Sequence, residues 1–216
     1  MKDLLKQLIP EHNFKKRLFL VIFAVIMMGF ALSWLVLVDM GTDPCTSMNL
    51  TISRKIGWTI GNWQAFLNCL LFIIVIFFGR NNIGFGTLAN MFLVGYSLDF
   101  FSWLWSKLLP EGLFDSMLVR SIVLVPALIF FVFVAAIYMN VQLGTAPYDA
   151  LVYIIAKPLH KIPFRLIRMA YDFTVIFITI SLGGKVGIVT ILMAFTLGPI
   201  IGFVGKKMEP LIGNVE

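Results

Sequence analysis

The sequence predicts an all-α membrane protein with six transmembrane helices, arranged as two inverted three-helix repeats with a short half-helix after the first span of each. Three features support this prediction: the composition, six long apolar runs, and a similarity between the two halves of the chain. Of 216 residues, 60% are hydrophobic and 13% are charged, against about a quarter charged in a soluble domain. So few charged side chains cannot cover the surface of a water-soluble globule, and that class is excluded.

Each apolar run approaches the ~20 residues that a helix needs to cross the hydrocarbon layer. The runs are Leu18–Val38, Trp63–Phe78, Ile83–Trp105, Ser121–Val141, Leu166–Leu182 and Val186–Val204. The first run follows a basic cluster, as the core of a secretory signal would, but it is longer than the ~7–15 residues of such a core and lacks a small-residue cleavage site. We therefore expect it to remain as a transmembrane helix.

The distribution of positive charge predicts the orientation. With the N-terminus inside, the connections on the inner side carry 12 of the 17 Lys and Arg residues and those on the outer side carry 5. Cytoplasmic loops are enriched in these residues, so both termini are expected in the cytoplasm. The same clusters account for the net charge of +6 without a nucleic-acid partner, and the lipid bilayer is the expected partner instead.

The two halves of the chain align without a gap at an offset of 103 residues, with 15 of 87 positions identical between 17–103 and 120–206. Three spans per repeat is an odd number, so the second repeat enters the membrane from the opposite side, as in many secondary transporters. The matches that carry most weight are Arg17 with Arg120, Gly41-Thr42-x-Pro44 with Gly144-Thr145-x-Pro147, and Gly84-x-x-Thr87 with Gly187-x-x-Thr190. The predicted organisation is a cytoplasmic N-terminal segment (1–16), repeat 1 (17–105), an outer linker (106–119), repeat 2 (120–206) and a cytoplasmic tail (207–216).

The Gly-Thr-x-Pro element predicts the start of a short helix in each repeat, Pro44–Ile56 and Pro147–Ala156. Gly permits a turn that a larger residue cannot make, Thr can cap the following helix, and Pro suits the first helical turn. The second of these helices is too short to cross the membrane. Two interpretations stay open: a pair of capped connectors, or a pair of re-entrant half-helices whose N-terminal amides face a central cavity and favour an anion.

Polar residues at membrane depth are the candidate site, because a charge there is costly and usually faces the protein interior. Asp172 lies inside the fifth run with Arg168 one turn earlier on the same helix face, which fits either an ion pair that fixes register or a substrate or proton site. Asp99 lies nearer an interface and is expected at a solvated end or in a hydrogen bond. The candidate substrate-binding residues are Thr42, Asp43, Thr145, Asp149, Arg168, Asp172 and Asn68.

No catalytic constellation is found in the sequence. His12 and His160 both lie in charged segments, so a zinc-type site or a His-based triad lacks members. Cys45 and Cys69 have neither CxxC spacing nor paired histidines and are expected to be packing residues. The chain is therefore predicted not to be an enzyme and to bind no metal and no cofactor.

The string Gly41-Thr42-Asp43-Pro44-Cys45-Thr46, its counterpart Leu143–Asp149, and the glycine-rich segments Ile83–Thr87 and Gly183–Thr190 resemble the bacterial YczE/YyaS/YitT group of integral membrane proteins. The resemblance covers about residues 17 to 206. It implies a small multi-pass protein of the bacterial cytoplasmic (inner) membrane and implies no reaction. One departure is that an aromatic residue is expected after the first turn, where this chain has Cys45.

A transporter (permease or exporter) for a small anionic or zwitterionic metabolite, with its site between the inverted repeats, is the predicted function. Two other classes stay open: a substrate-binding membrane subunit of an energy-coupling vitamin importer, and a scaffold that transports nothing and stabilises another membrane protein. The expected partners are the bilayer and a small-molecule substrate. A second copy of the chain or a membrane partner protein is compatible with the sequence.

Overall fold

The computed structural model describes the backbone of residues 14–212 and, within them, all side chains except those of 200–202 and 204–212. This part of the chain is helical, without a β-strand. The elements are α1 (Phe14–Val38), α2 (Pro44–Ile56), α3 (Ile60–Phe78), a 3₁₀ turn (Arg80–Asn82), α4 (Phe85–Leu108), α5 (Met117–Asn140), α6 (Pro147–Ala156), α7 (Phe164–Ser181) and α8 (Ile188–Ile212). Most of the predicted N-terminal segment (1–16) and part of the predicted tail (207–216) lie outside the described residues.

The two short helices begin at Pro44 and Pro147, as the Gly-Thr-x-Pro element predicts. Gly41 and Gly144, at the turns before them, have φ values of +108° and +94°, a left-handed backbone region that favours glycine. The prediction that the threonines cap these helices is wrong. The N-cap of α2 is Asp43, whose carboxylate accepts a hydrogen bond from the Thr46 amide at 3.0 Å, and α6 has no side-chain cap.

The centre of the protein is formed by the four helices α1, α4, α5 and α8. α1 packs against α4 and α5, and α5 packs against α8. The buried side chains between them are apolar, including Val25, Leu32, Val94, Phe131 and Met193. α3 packs on α4 and α7 packs on α8, outside this core.

Each short helix packs on a helix from the other half of the chain. α2 lies against α7, and α6 lies against α3. Both short helices have a buried first turn, with Pro44 and Thr46 in α2 and Pro147 and Tyr148 in α6. Their far ends are exposed, at Ile56 and Lys157. Each short helix therefore begins inside the protein and runs out to its surface.

Two glycine-containing turns contact the first turns of the long helices α8 and α4 through backbone atoms. The Val189 amide donates a hydrogen bond to the Met40 carbonyl at 3.2 Å, and the Gly86 amide donates to the Leu143 carbonyl at 2.6 Å. A Cβ at Gly187 would overlap the Met40 carbonyl, and a Cβ at Gly84 would overlap the Leu143 carbonyl. These contacts, the glycine crossings, join the first half of the chain to the second at two matching places.

Three helices, Phe14–Val38, Ile60–Phe78 and Met117–Asn140, are long and apolar enough to cross a membrane by length and composition. Shorter apolar helices are Pro147–Ala156 and the segment Ile188–Pro199. The described residues therefore contain three clear candidate spans, where the sequence predicts six. Many of the large side chains on the outside of the bundle are apolar, among them Phe19, Phe77, Leu118 and Phe177, as expected for a surface in contact with lipid.

Asp99 makes a hydrogen bond, one of the two alternatives left open for it. Its carboxylate accepts from the backbone amides of Ile60 and Gly61, at 3.2 and 2.7 Å. These amides belong to the first turn of α3, where helical N–H groups lack intrahelical partners. Asp99 on α4 thus ties down the beginning of α3.

Replacing Asp99 with alanine is expected to destabilise the protein by about 1–3 kcal/mol, because two helix-start amides lose a charged acceptor. Thermal unfolding of the detergent-solubilised protein checks this value. Glu111→Ala is the matched control, since Glu111 is exposed and its loss should change stability by less than about 0.5 kcal/mol. Equal melting of the two variants would contradict the capping role.

Candidate functional site

A small cavity of about 80 Å³ lies in the interior of the bundle, where α2 and α6 begin. Met28 near the middle of α1 and Phe131 in the C-terminal half of α5 form part of its wall. Its polar lining comes from the two helix starts and from the neighbouring helices: Asp43, Cys45, Thr46, Gln64, Asn68, Asn90, Tyr138, Tyr148, Asp149 and Arg168. The two halves of the chain both contribute to the cavity.

On one side of the cavity, a cluster of paired charges surrounds Arg168. Its guanidinium contacts Asp149 at 2.5 Å through one terminal nitrogen and Asp172 at 3.0 Å through Nε. The Tyr148 hydroxyl donates a hydrogen bond to the other Asp172 oxygen at 3.0 Å, and the guanidinium carbon lies 5.7 Å from the centre of the Tyr148 ring. The guanidinium is thus shared by two carboxylates, and both oxygens of Asp172, which is 2% exposed, have partners.

Asp43, in the wall of the same cavity, is in a different situation. One of its oxygens caps α2 through the Thr46 amide. The other oxygen, Oδ2, is buried and has no hydrogen-bond partner among the described residues, and the whole residue is 8% exposed. An unpartnered carboxylate oxygen at this depth is unusual, because burying a charge without a partner is costly.

Three amide side chains in the cavity wall are also buried: Gln64, Asn68 and Asn90. The Asn68 amide nitrogen donates to the Met91 carbonyl at 3.4 Å, which leaves its oxygen free. Gln64 and Asn90 make no side-chain hydrogen bond to another described residue. These amides of the first half of the chain thus have hydrogen-bonding capacity to spare, whereas Tyr148, Asp149 and Arg168 of the second half are engaged with one another or with Asp172.

Thr42 and Thr145 do not line the cavity. The Thr42 hydroxyl is 3.1 Å from the Ser47 hydroxyl, which is 3.2 Å from the Thr190 hydroxyl, so this turn is tied to the start of α8. The Thr145 hydroxyl is buried without a partner, because Ala150 stands where the first half has Ser47. Both threonines therefore lie in the turns behind the cavity.

The structure brings four of the predicted site residues to the cavity wall: Asp43, Asn68, Asp149 and Arg168. It places Asp172 directly behind Arg168. Residues of the cavity outside the predicted set include Asn90 and Tyr148. Asn90 is a polar residue within an apolar run, a signal that could have found it. Tyr148 directly follows Pro147, and nothing in the sequence distinguishes it from a packing residue. Its role follows from the position of its hydroxyl in the structure.

Two polar depressions of about 380 and 370 Å³ open beside the far ends of the short helices. The first includes Arg54 of α2 together with Lys185, which lies 3.7 Å from Asp39. The second includes Lys157 at the end of α6 together with Arg80. Arg54 and Lys157 are related by the 103-residue offset of the two halves. Each short helix therefore leads from the cavity to a depression with basic side chains.

A larger cavity of about 790 Å³ lies along α1 and α5 and is lined by apolar side chains such as Phe30, Trp34, Ile122 and Phe133. It offers no charged or amide side chain to orient a polar ligand. Among the residues that the structure describes, no three His, Cys, Asp or Glu side chains come close enough together to hold a metal ion. The interior cavity is accordingly the candidate site.

Comparison with known families shows to which family this chain belongs. The model of a family described as "Family of unknown function (DUF6198)" matches residues 15–206. The chain belongs to the DUF6198 family. This match extends over all of the described helices except Phe14 at the start of α1 and the end of α8.

Relatives in two bacteria are similar over most of their length. A Haemophilus influenzae protein described as uncharacterized is 27% identical over 190 residues, which cover 87% of this chain and 83% of the relative. Two Bacillus subtilis proteins are the uncharacterized membrane protein YczE, 26% identical over 166 residues (76% and 73% covered), and the uncharacterized protein YyaS, 24% identical over 169 residues (78% and 82% covered). The resemblance to YczE and YyaS is thereby confirmed. No solved structure matches the chain.

Proposed function

We propose that this membrane protein is a transporter for a small zwitterionic metabolite, with its site in the interior cavity. The observation that carries the proposal is a set of buried polar side chains with spare hydrogen-bonding capacity, Asp43, Gln64 and Asn90, at the point where two short helices from different halves of the chain begin. Polar groups at such depth are costly, and in membrane proteins they usually mark a binding site or pathway.

The proposal includes an inverted repeat of two halves. Support comes from the helix starts, which recur at the same offset: Phe14 and Met117, Pro44 and Pro147, Phe85 and Ile188. It also comes from the matching glycine crossings, Met40 with Val189 and Leu143 with Gly86. With three spans in each half, the second half crosses the membrane in the opposite sense, and a site between the halves is then accessible to either side in turn.

The six spans of the proposal are α1, α3, α4, α5, α7 and α8, with α2 and α6 as re-entrant half-helices. The excess of Lys and Arg on one set of connections then places both termini in the cytoplasm of a bacterial cell. In this arrangement the depression beside Arg54 opens outside and the one beside Lys157 opens inside. They would serve as the two entrances to the site.

The choice of a zwitterion over an anion follows from the pairing of charges. The start of each half-helix already carries an aspartate, Asp43 or Asp149, which complements the positive end of the helix dipole. Arg168 is bound by two carboxylates, so it has less to offer an anion than the sequence suggests. A zwitterionic substrate supplies the positive group that Asp43 lacks and adds no net negative charge to a wall with more carboxylates than cations.

Thiol labelling in intact cells tests the topology. In a Cys69→Ser background, cysteines at Lys55 and Lys107 are expected to react with a membrane-impermeant maleimide from outside, and a cysteine at Lys161 only after lysis. Cys45 remains in all variants, and the parent chain without an added cysteine measures its own reaction. Labelling of the Lys161 variant in intact cells would contradict the inverted arrangement.

A flux measurement tests the function. Mass spectrometry of small molecules retained by the purified protein supplies candidate substrates, and uptake into proteoliposomes measures their transport. Asn90→Ala is expected to lower uptake about tenfold, because one hydrogen bond to a buried substrate group is lost. Asn62→Ala is the matched control at an exposed position outside the cavity and both depressions. Retention of a ligand without flux would favour a binding subunit, and the absence of both would overturn the proposal.

A further inference from the structure

The charges of the cavity do not balance. Three carboxylates, Asp43, Asp149 and Asp172, face or adjoin it, and Arg168 is the single cation among the residues of its wall. Arg168 is engaged by Asp149 and Asp172. Asp43 is left with a buried oxygen that has no hydrogen-bond partner among the described residues.

The start of α2 offsets only part of this charge. The Thr46 amide donates to Asp43 Oδ1, and the helix dipole favours the carboxylate, whereas Oδ2 has no hydrogen-bond donor among the described residues. A carboxylate in this position must take up a positively charged group or a proton from outside the protein framework, because an isolated charge is strongly disfavoured in an apolar interior.

The surroundings of Asp43 suit a small cation better than a multivalent metal. Gln64, Asn68 and Asn90 provide neutral amide oxygens in the wall of the same cavity, and oxygen atoms are the usual ligands of hard cations. No metal-binding cluster of three acidic, Cys or His side chains occurs in the described part of the chain. A volume of about 80 Å³ equals roughly two or three waters, which leaves room for a small ion or an ammonium group.

We propose that the interior cavity is a binding site for a small monovalent cation, with Asp43 as its counter-charge and the amides of Gln64, Asn68 and Asn90 around it. The cation is either the ammonium group of the substrate or a sodium ion that accompanies it. Its role in transport rests on the proposed function, whereas cation binding itself can be measured without any flux.

The test is a titration of thermal stability in purified protein. Sodium chloride and methylammonium chloride are added in turn, and N-methylglucamine chloride, whose cation is too large for the cavity, holds the ionic strength constant. A ligand that binds only the folded state raises the melting temperature in a saturable way. We expect such a rise with at least one of the two small cations.

Asp43→Asn removes the charge but keeps a good helix-capping residue, so the variant should fold. Its apparent affinity for the cation is expected to fall at least about tenfold, while Asp115→Asn, which alters an exposed carboxylate outside the cavity, should leave the affinity unchanged. Asn90→Ala provides a second variant with Asp43 intact and should weaken the same response.

The outcomes separate the two sources of the cation. A response to methylammonium alone identifies a substrate ammonium group, and a response to sodium alone identifies an accompanying ion. Equal melting in all three salts, or an unchanged response in Asp43→Asn, would overturn the inference and indicate that Asp43 simply carries a proton. Saturable cation binding without uptake into liposomes would refute the transporter and leave the cation site standing.

Discussion

Replacing Arg168 with alanine is expected to destabilise the protein by about 3–5 kcal/mol, the usual cost of removing one partner from a buried ion pair. The change leaves Asp149 and Asp172 side by side without their shared cation, and Asp172 is almost fully buried. Unfolding of the detergent-solubilised protein by heat or denaturant measures the effect. Arg168→Lys should recover only part of the loss, because an ammonium cannot reproduce the two contacts of the guanidinium fork.

The matched control for Arg168→Ala is a variant in which all three charges of the cluster are removed. A triple variant, Arg168→Met with Asp149→Asn and Asp172→Asn, contains no buried charge at this place and should be clearly more stable than Arg168→Ala. Tyr148→Phe removes one hydrogen bond to Asp172 and should cost about 1 kcal/mol. If the free energy of unfolding of Arg168→Ala lay within about 1 kcal/mol of the parent value, the cluster would have no structural role.

Alanine at Gly84 or Gly187 is expected to prevent correct folding. A Cβ at either position would overlap a backbone carbonyl of the opposing turn, that of Leu143 or of Met40. Backbone atoms cannot move aside as the end of a flexible side chain can, so the turn and the long helix must separate and lose the hydrogen bonds of Gly86 and Val189. Yield of monodisperse protein in gel filtration and its melting temperature measure the outcome.

Two other glycines provide the comparison. A Cβ at Gly198 in α8 meets no atom within 4 Å, so Gly198→Ala should be neutral or slightly stabilising. A Cβ at Gly57 also meets open space, but its φ of +74° makes Gly57→Ala cost about 1–2 kcal/mol. A normal yield and melting temperature for Gly84→Ala would show that the crossing tolerates separation.

Much of the helix pattern could be predicted from the sequence because it is set by local chemistry. Glycine and proline fix the turns before Pro44 and Pro147, and these helices begin where the element predicts. The capping residue was missed because Thr42 and Asp43 are both good N-caps, and only the path of the backbone decides between them.

The site was predictable only in part because its partners come from distant segments. The pairing of Arg168 with Asp172 follows from their spacing of four residues on one helix. The contact of Arg168 with Asp149 depends on how α6 lies beside α7, and no spacing in the sequence reveals it. The isolation of Asp43 Oδ2 is likewise a property of the assembled bundle.

Because each short helix packs on a helix from the other half of the chain, the order in which the helices are synthesised affects the order in which they can pack. α2 carries buried polar side chains, Ser47, Asn49 and Ser53, and the helix that covers it, α7, is made roughly 100 residues later, which corresponds to roughly 5–20 s on the ribosome. α6, in contrast, emerges when its partner α3 is already present. The nascent chain therefore docks its second short helix before its first, and a ribosome that stops after α5 leaves α2 in contact with α3, through bonds such as that from Trp63 to Asn49, but without its partner α7.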